Sequence, residues 1–357
     1  MTRLSALAVL LLLLPGDVAV HAEESPATMM AHGHWKRVRA IAQERIRAAP
    51  ADAEANYLMA RVYLQWDAVD AALPHAERAV KAAPQNAEYL WTLARVYGEQ
   101  AGRAGVLKQV GLARRFRNAA ETVLKMDPMH VEAHFGMMIF YLKAPGIVGG
   151  DKAKAAATAE AIGRIDRAKG FQAQARLAQE QQQREKLPDL FRRCIEANPR
   201  EYECHTALVN AAASESPRNT AAAERHAREA IGLEPDRVSG YSGLVWSLIA
   251  QKRIPEAEAV LAEAEKMVPD DFAPYYTAAS LLYNDNHDLP RAERYLRKYL
   301  SQEREAGRAT HAVAQWRLGL VLERQGRRPE AIAALETAVR LDGALEQAKK
   351  DLKRLKS

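Results

Sequence analysis

Apolar and polar positions alternate along this chain with the helical period. Between residues 53 and 86, Tyr57, Met59, Ala60 and Tyr63 fall on one face of a first helix. Ala72, Ala76, Ala79 and Val80 fall on one face of a second. Spacings of three and four are those of an amphipathic helix. The pattern recurs, with small residues again at Ala223 and Ala230, Ala257 and Ala264, and Ala331 and Ala338. Prolines punctuate it: Pro50 and Pro84 stand 34 residues apart, as do Pro235 and Pro269, while Pro128 and Pro199 close similar segments. Proline cannot continue a helix, so each one stops a helix and starts the turn into the next.

A helix–turn–helix unit recurring every 34 residues, with Leu93-Ala94-x2-Tyr97, Met59-Ala60-x2-Tyr63 and Leu318-Gly319-x2-Leu322 in the first helix and Ala257-x3-Leu261…Pro269 and Ala331-x3-Leu335 in the second, resembles the tetratricopeptide repeat (TPR) family. The resemblance implies an all-α, right-handed α-solenoid of about eight units, spanning 34–343 and read as 53–86, 87–130, 131–170, 171–201, 202–237, 238–271, 272–311 and 312–343. Trp35 to Ala49 reads as a lone second-type helix ahead of the array, and residues 344–357 as a polar capping helix. Unit two is ten residues longer than the 34-residue repeat, through 101–110. A Pro/Gly loop at 144–150 carries Ile147 and Val148 as exposed aliphatics, a possible binding loop, and Asp151 is placed to cap the next helix.

The chain begins with Met1-Thr2-Arg3, an apolar run from Leu4 to Leu14, then Val20-His21-Ala22. This is the pattern of a signal peptide over 1–22 cleaved after Ala22, with 23–33 as a flexible leader. The run is too short to span a bilayer, so the mature chain is expected to be exported, periplasmic or secreted, without membrane insertion. Composition fits the repeat reading. Of 357 residues 69 are Ala, and only 6% are aromatic. Ala favours helix and lets helices approach closely. The net charge of +6 is spread over interspersed Lys, Arg, Asp and Glu, without the basic block that nucleic acid needs.

Little in the chain points to chemistry. His32 and His34 lack a Cys or carboxylate at fixed spacing. His130 and His134 lie near Met137 and Met138, which fall on packing positions. No nucleophile context surrounds any Ser, so no enzyme activity, cofactor or metal is expected. Cys194 and Cys204 flank Asn198-Pro199-Arg200 and either close as a disulfide or remain small buried thiols.

The resemblance further implies a concave groove lined by the fifth and ninth residues of the first helices. These are Tyr57, Trp91, Phe135, Tyr276 and Trp316, and Arg61, Arg95, Asn210 and Trp246. Aromatics and Arg are enriched at binding hot spots. The same aromatics could instead pack the seams between helices. The groove reading makes the chain a non-catalytic scaffold for a protein or peptide partner. The alternative is an accessory protein of envelope transport or peptidoglycan systems that binds a glycan or small molecule. The Lys/Asn clamp with which some TPR proteins hold a peptide carboxylate is not present at these positions.

Overall fold

The computed structural model describes residues 24–357, so the signal-peptide reading of 1–22 lies outside the described residues. Two helices lead the array: α1 (Pro26–His32) and α2 (Trp35–Ala48). Eight helix pairs follow. The first four are α3 (Ala53–Gln65) with α4 (Val69–Ala82), α5 (Ala87–Arg103) with α6 (Val106–Met126), α7 (Val131–Lys143) with α8 (Lys152–Ile165), and α9 (Arg167–Glu180) with α10 (Leu187–Ala197). The last four are α11 (Tyr202–Ser214) with α12 (Thr220–Leu233), α13 (Val238–Ala250) with α14 (Ile254–Met267), α15 (Ala273–Asn284) with α16 (Leu289–Tyr299), and α17 (His311–Arg324) with α18 (Arg328–Leu341). The capping helix α19 (Glu346–Lys356) packs on α18. No strand occurs among the described residues. The fold is an all-α solenoid.

The prolines act as their positions imply. Six helices end two residues before one: α2, α4, α6, α10, α12 and α14. The intervening residue is extended, as at Ala49 (φ −143°) and Asp127 (φ −135°), because a following proline disfavours the helical region. Five of the turns inside pairs use a different device, a left-handed residue: Asp67, Gln182, Lys252, Asn286 (with Asp288) or Gly326. Asp52, Asn86, Asp166 and Asn219 cap the helices that follow them. Within pairs, Ala72, Ala76 and Ala79 are fully or almost fully buried, and so are Ala223, Ala227 and Ala230. This is where the alanine excess is spent.

The backbones of α8 and α9 approach closely at Gly163 and Gly170. A Cβ on Gly170 would collide with the Cα of Gly163, and backbone on both sides leaves nothing that can yield. Gly170→Ala should therefore destabilise by about 1–3 kcal/mol, exceeding the roughly 1 kcal/mol that Ala gains over Gly in a helix. Gly232, in α12, faces open space. Gly232→Ala should stabilise by about 0.5–1 kcal/mol. Urea melts of the two variants should move in opposite directions; a common direction would contradict the packing at Gly163.

Several local features differ from the sequence-based expectation. The ten extra residues of the second unit lie mostly in helix; they lengthen α5 to 17 residues and α6 to 21. The leader at 23–33 carries a helix, α1, capped by the Ser25 side chain and closed by Gly33 in the left-handed region. Of the two aliphatics expected to be exposed at 144–150, Ile147 is 82% exposed, but Val148 is buried, its carbonyl accepting a hydrogen bond from Arg117. Gly150 is needed there because a Cβ would collide with the Ala144 carbonyl oxygen.

The array also curves until its start meets its seventh pair. A ten-residue loop, 301–310, joins α16 to α17 and lies against α2. Ala306 packs into the cluster of Trp35, Val38, Ala42 and Leu58. Arg37 pairs with Asp270 at 2.9 Å and Arg39 with Glu303 at 2.6 Å, and the Lys36 ammonium donates to the Asp270 and Glu303 carbonyls. Glu305, 2% exposed, accepts from the backbone N–H groups of Lys36 (3.2 Å) and Ala306 (3.0 Å). Burial pushes its carboxyl up to about 7.

Candidate functional site: a groove along the first helices

Each second helix packs on the first helix of the next pair, so the first helices stand side by side. Two cavities open on that row. One, of about 690 Å³, is lined by α5, α6, α7 and α9. The other, of about 390 Å³, is lined by α11, α13, α15 and the 301–310 loop.

The residues expected in the groove divide among different environments. Trp91 lines the larger cavity but is 3% exposed. Its ring meets Phe116 edge-on at 6.1 Å, its Nε1 donates to Glu132 at 3.0 Å, and Gly136 leaves the room it occupies. It is mostly a seam residue. Phe135 is half-buried on the same cavity. Tyr57 stacks on Tyr89 at 4.9 Å and accepts a hydrogen bond from Arg61. Asn210, Trp246 and Tyr276 line the second cavity, with Tyr276 against Tyr299 at 5.3 Å. Trp316 is held instead by the capping helix, donating from Nε1 to Asp351 at 2.8 Å.

Arg95 has the most distinctive environment. It is half-buried in the larger cavity and, among the described residues, makes no hydrogen bond or ion pair. Burial, and then the charge of Arg61, lower the pKa of its guanidinium. Arg61 makes no ion pair among the described residues either, and its buried Nε has no hydrogen-bond partner. Arg95, beside a wall of Phe116, Phe135, Ile139 and Phe140, lies near Arg61 and makes no ion pair with Glu99 or Glu132 on the same cavity, so it fits a ligand that brings both an apolar group and an anion.

Several lining residues lie outside the positions read from the repeat. Phe116 comes from the lengthened α6, Gln172 and Arg176 from the next unit, and Tyr299 and Arg308 from α16 and the following loop. The ten-residue surplus at 101–110 was the one signal that could have directed attention to α6.

The other candidates have structural roles. His130 caps α7 through Nδ1 and lies 3.3 Å from Glu88, and His134 bonds the Pro128 carbonyl. Cys194 and Cys204, both fully buried, have sulfurs 2.03 Å apart and Cα atoms 6.3 Å apart, a disulfide across the α10–α11 turn.

Comparison with known proteins bears on the repeat itself. Tetratricopeptide-repeat family models match residues 53–86, 217–282 and 276–346. Among solved structures, a tetratricopeptide repeat protein from Parabacteroides merdae is similar at 14% identity and a TM-score of 0.43, over 85% of this chain and 99% of that one. Yeast Tom70 is similar at 14% identity and a TM-score of 0.48, over 93% of this chain and 80% of its own. No curated protein matches the chain in sequence. The family-model matches show that the chain carries tetratricopeptide repeats over residues 53–86 and 217–346, a repeat typical of protein-interaction scaffolds that are generally non-catalytic.

Proposed function

We propose that this protein is an exported, non-catalytic scaffold of the cell envelope that holds an extended segment of a partner protein along its first-helix groove. The observation that carries the reading is the cavity of about 690 Å³, with its apolar wall, the unpaired Arg95 on its lining and Arg61 close to Arg95. The segment it fits is a peptide with a large apolar side chain for the Phe116–Phe140 wall and an acidic residue for the two guanidiniums. A fixed cavity between packed helices suits such a segment because little of the binding energy is lost to ordering the receptor. Export is supported by the signal-like pattern at 1–22 and by the closed Cys194–Cys204 pair, since disulfides persist in oxidising compartments. No helix among the described residues is long and apolar enough to cross a membrane.

Two of the aromatics favour a protein partner over a glycan. Glycan stacking needs free ring faces, but Trp91 is buried in a seam and Trp316 is tied to the capping helix.

Panning a random peptide library against the chain tests this reading. Enriched peptides should combine aromatic or aliphatic residues with Asp or Glu. The Arg61→Gln, Arg95→Gln double variant should bind them on the order of a hundredfold more weakly, since hydrogen bonds to charged groups contribute roughly 1.5–3 kcal/mol each. Its helical circular dichroism should be unchanged. Enrichment without acidic residues, or equal binding by the variant, would contradict the assignment.

A further inference from the structure

His32 and His34 lack carboxylates nearby in sequence, but the fold supplies them. Curvature of the array brings the turn between α12 and α13 against the α1–α2 junction, more than 200 residues away. There His32 Nδ1 lies 2.6 Å from Asp236 Oδ2 and 3.3 Å from Glu24 Oε1, and His34 Nε2 lies 3.7 Å from the same Asp236 oxygen. The four ligand atoms, one from each residue, all lie within 4.8 Å of one another. We propose that Glu24, His32, His34 and Asp236 form a binding site for a divalent transition-metal ion, zinc in the first instance, which fastens the N-terminal segment to the α12–α13 turn.

The strongest support is an unmet need. His34 is 2% exposed, and its Nε2 is buried, points into the cluster and has no hydrogen-bond partner. Glu24 Oε1 is likewise buried without a partner. Burying such atoms unsatisfied is costly. A hydrogen-bonded His32–Asp236 pair alone leaves both costs in place, whereas a cation at the centre removes both.

The dimensions also suit zinc. Metal–ligand distances near 2.0–2.1 Å in a tetrahedron set ligand atoms roughly 3.3–3.4 Å apart. Two of the separations, 3.3 and 3.7 Å, are already close to that, and the 2.6 Å contact would open slightly. Two imidazoles and two carboxylates are a borderline-soft donor set that favours zinc over calcium or magnesium. The surrounding groups resemble the supports of known metal sites. Glu234 lies 3.8 Å from the other ring nitrogen of His32, and Arg37 lies 3.6 Å from Glu24 Oε2.

The consequence is mechanical. The metal would bind three places at once: the segment before α1, the α1–α2 junction and the α12–α13 turn. It would hold the array in its closed curvature and fix the second cavity's side of the groove.

Cobalt titration of the chelator-treated chain tests the site. One Co²⁺ per chain should bind with the intense visible absorption of four-coordinate cobalt, and Zn²⁺ should displace it. His32→Gln and Asp236→Asn should each weaken binding on the order of a hundredfold, and Glu24→Gln at least about tenfold. His226→Gln, which removes a ring of the separate His205–His226 pair, should leave binding unchanged. Zn²⁺ should also slow proteolysis within residues 24–34 in the parent chain but not in the Asp236→Asn variant. Sub-stoichiometric or six-coordinate cobalt would overturn the proposal. So would full binding by Glu24→Gln or Asp236→Asn, or loss of binding in His226→Gln.

Discussion

Trp91→Ala should cost about 3–5 kcal/mol, the range for removing a large buried aromatic. The ring is 3% exposed, packs with Phe116, Ala120, Val123 and Met137, and has its Nε1 bonded to Glu132. Removing it would leave a cavity between three helices and orphan the Glu132 contact. Trp246→Ala removes a side chain of the same size that is only half-buried against its cluster and faces the second cavity. Its cost should be less than half as large, because a smaller apolar area returns to water. A repeat array need not unfold in one step, so hydrogen exchange in α5, α6 and α7 is the sharper readout. Protection there should fall in Trp91→Ala and persist in Trp246→Ala. Equal, small effects of the two substitutions would mean that Trp91 stands free in the groove and that the seam assignment is wrong.

The second large effect concerns pH and the closure of the array. Glu305 is buried where the 301–310 loop meets α2, and its folded pKa of about 7 lies above the ordinary 4.5. Between those values the folded chain binds the proton and the unfolded chain does not. Stability therefore falls as pH rises from about 4.5 to 7, by an amount on the order of 3 kcal/mol for a shift of this size. Below 4.5 both states are protonated and the cost vanishes. The groups facing Glu305 are Lys36, which partly offsets the effect, and Asp271, which adds to it. Other groups also contribute to the pH dependence, including His34 and His226, whose pKa values are lowered, and His130, whose pKa is raised. The comparison must therefore be a difference between chains. Glu305→Gln keeps a neutral side chain that still accepts a backbone hydrogen bond. Its stability relative to the parent chain should increase by up to about 3 kcal/mol between pH 5 and pH 8 in parallel urea melts. A difference independent of pH would show that the carboxylate is ionised in the folded chain and that the loop–α2 contact is solvated.

The helix pairs were legible in the sequence because their signals are local. Proline, Ala at close-contact positions and a left-handed turn residue each act within a few bonds of where they sit. The groove was legible only in part. Position five of a first helix selects side chains near the row, but its neighbours decide whether each one faces outward. Gly136 and Phe116 draw Trp91 inward, and Asp351 engages Trp316. Val148 is buried, with Arg117 of another helix donating to its carbonyl and Phe140 close to the adjacent Gly149, which no pattern within 144–150 encodes. Closure of the array was not legible at all. Lys36 and Glu305 are 269 residues apart, and their contact depends on small rotations accumulated over seven pairs. The His32–Asp236 contact was hidden for the same reason.

The central claim is that a partner segment lies along the first helices, over Arg95. Hydrogen exchange of the chain with and without a peptide selected by panning tests this most directly, because it locates the ligand without any substitution. Bound peptide should increase protection in α5, α7 and α9, around Arg95, Ile139 and Gln172, and leave α4, α12 and α18 unchanged. Protection gained on those second helices, with α5, α7 and α9 unaffected, would contradict the groove as the binding surface.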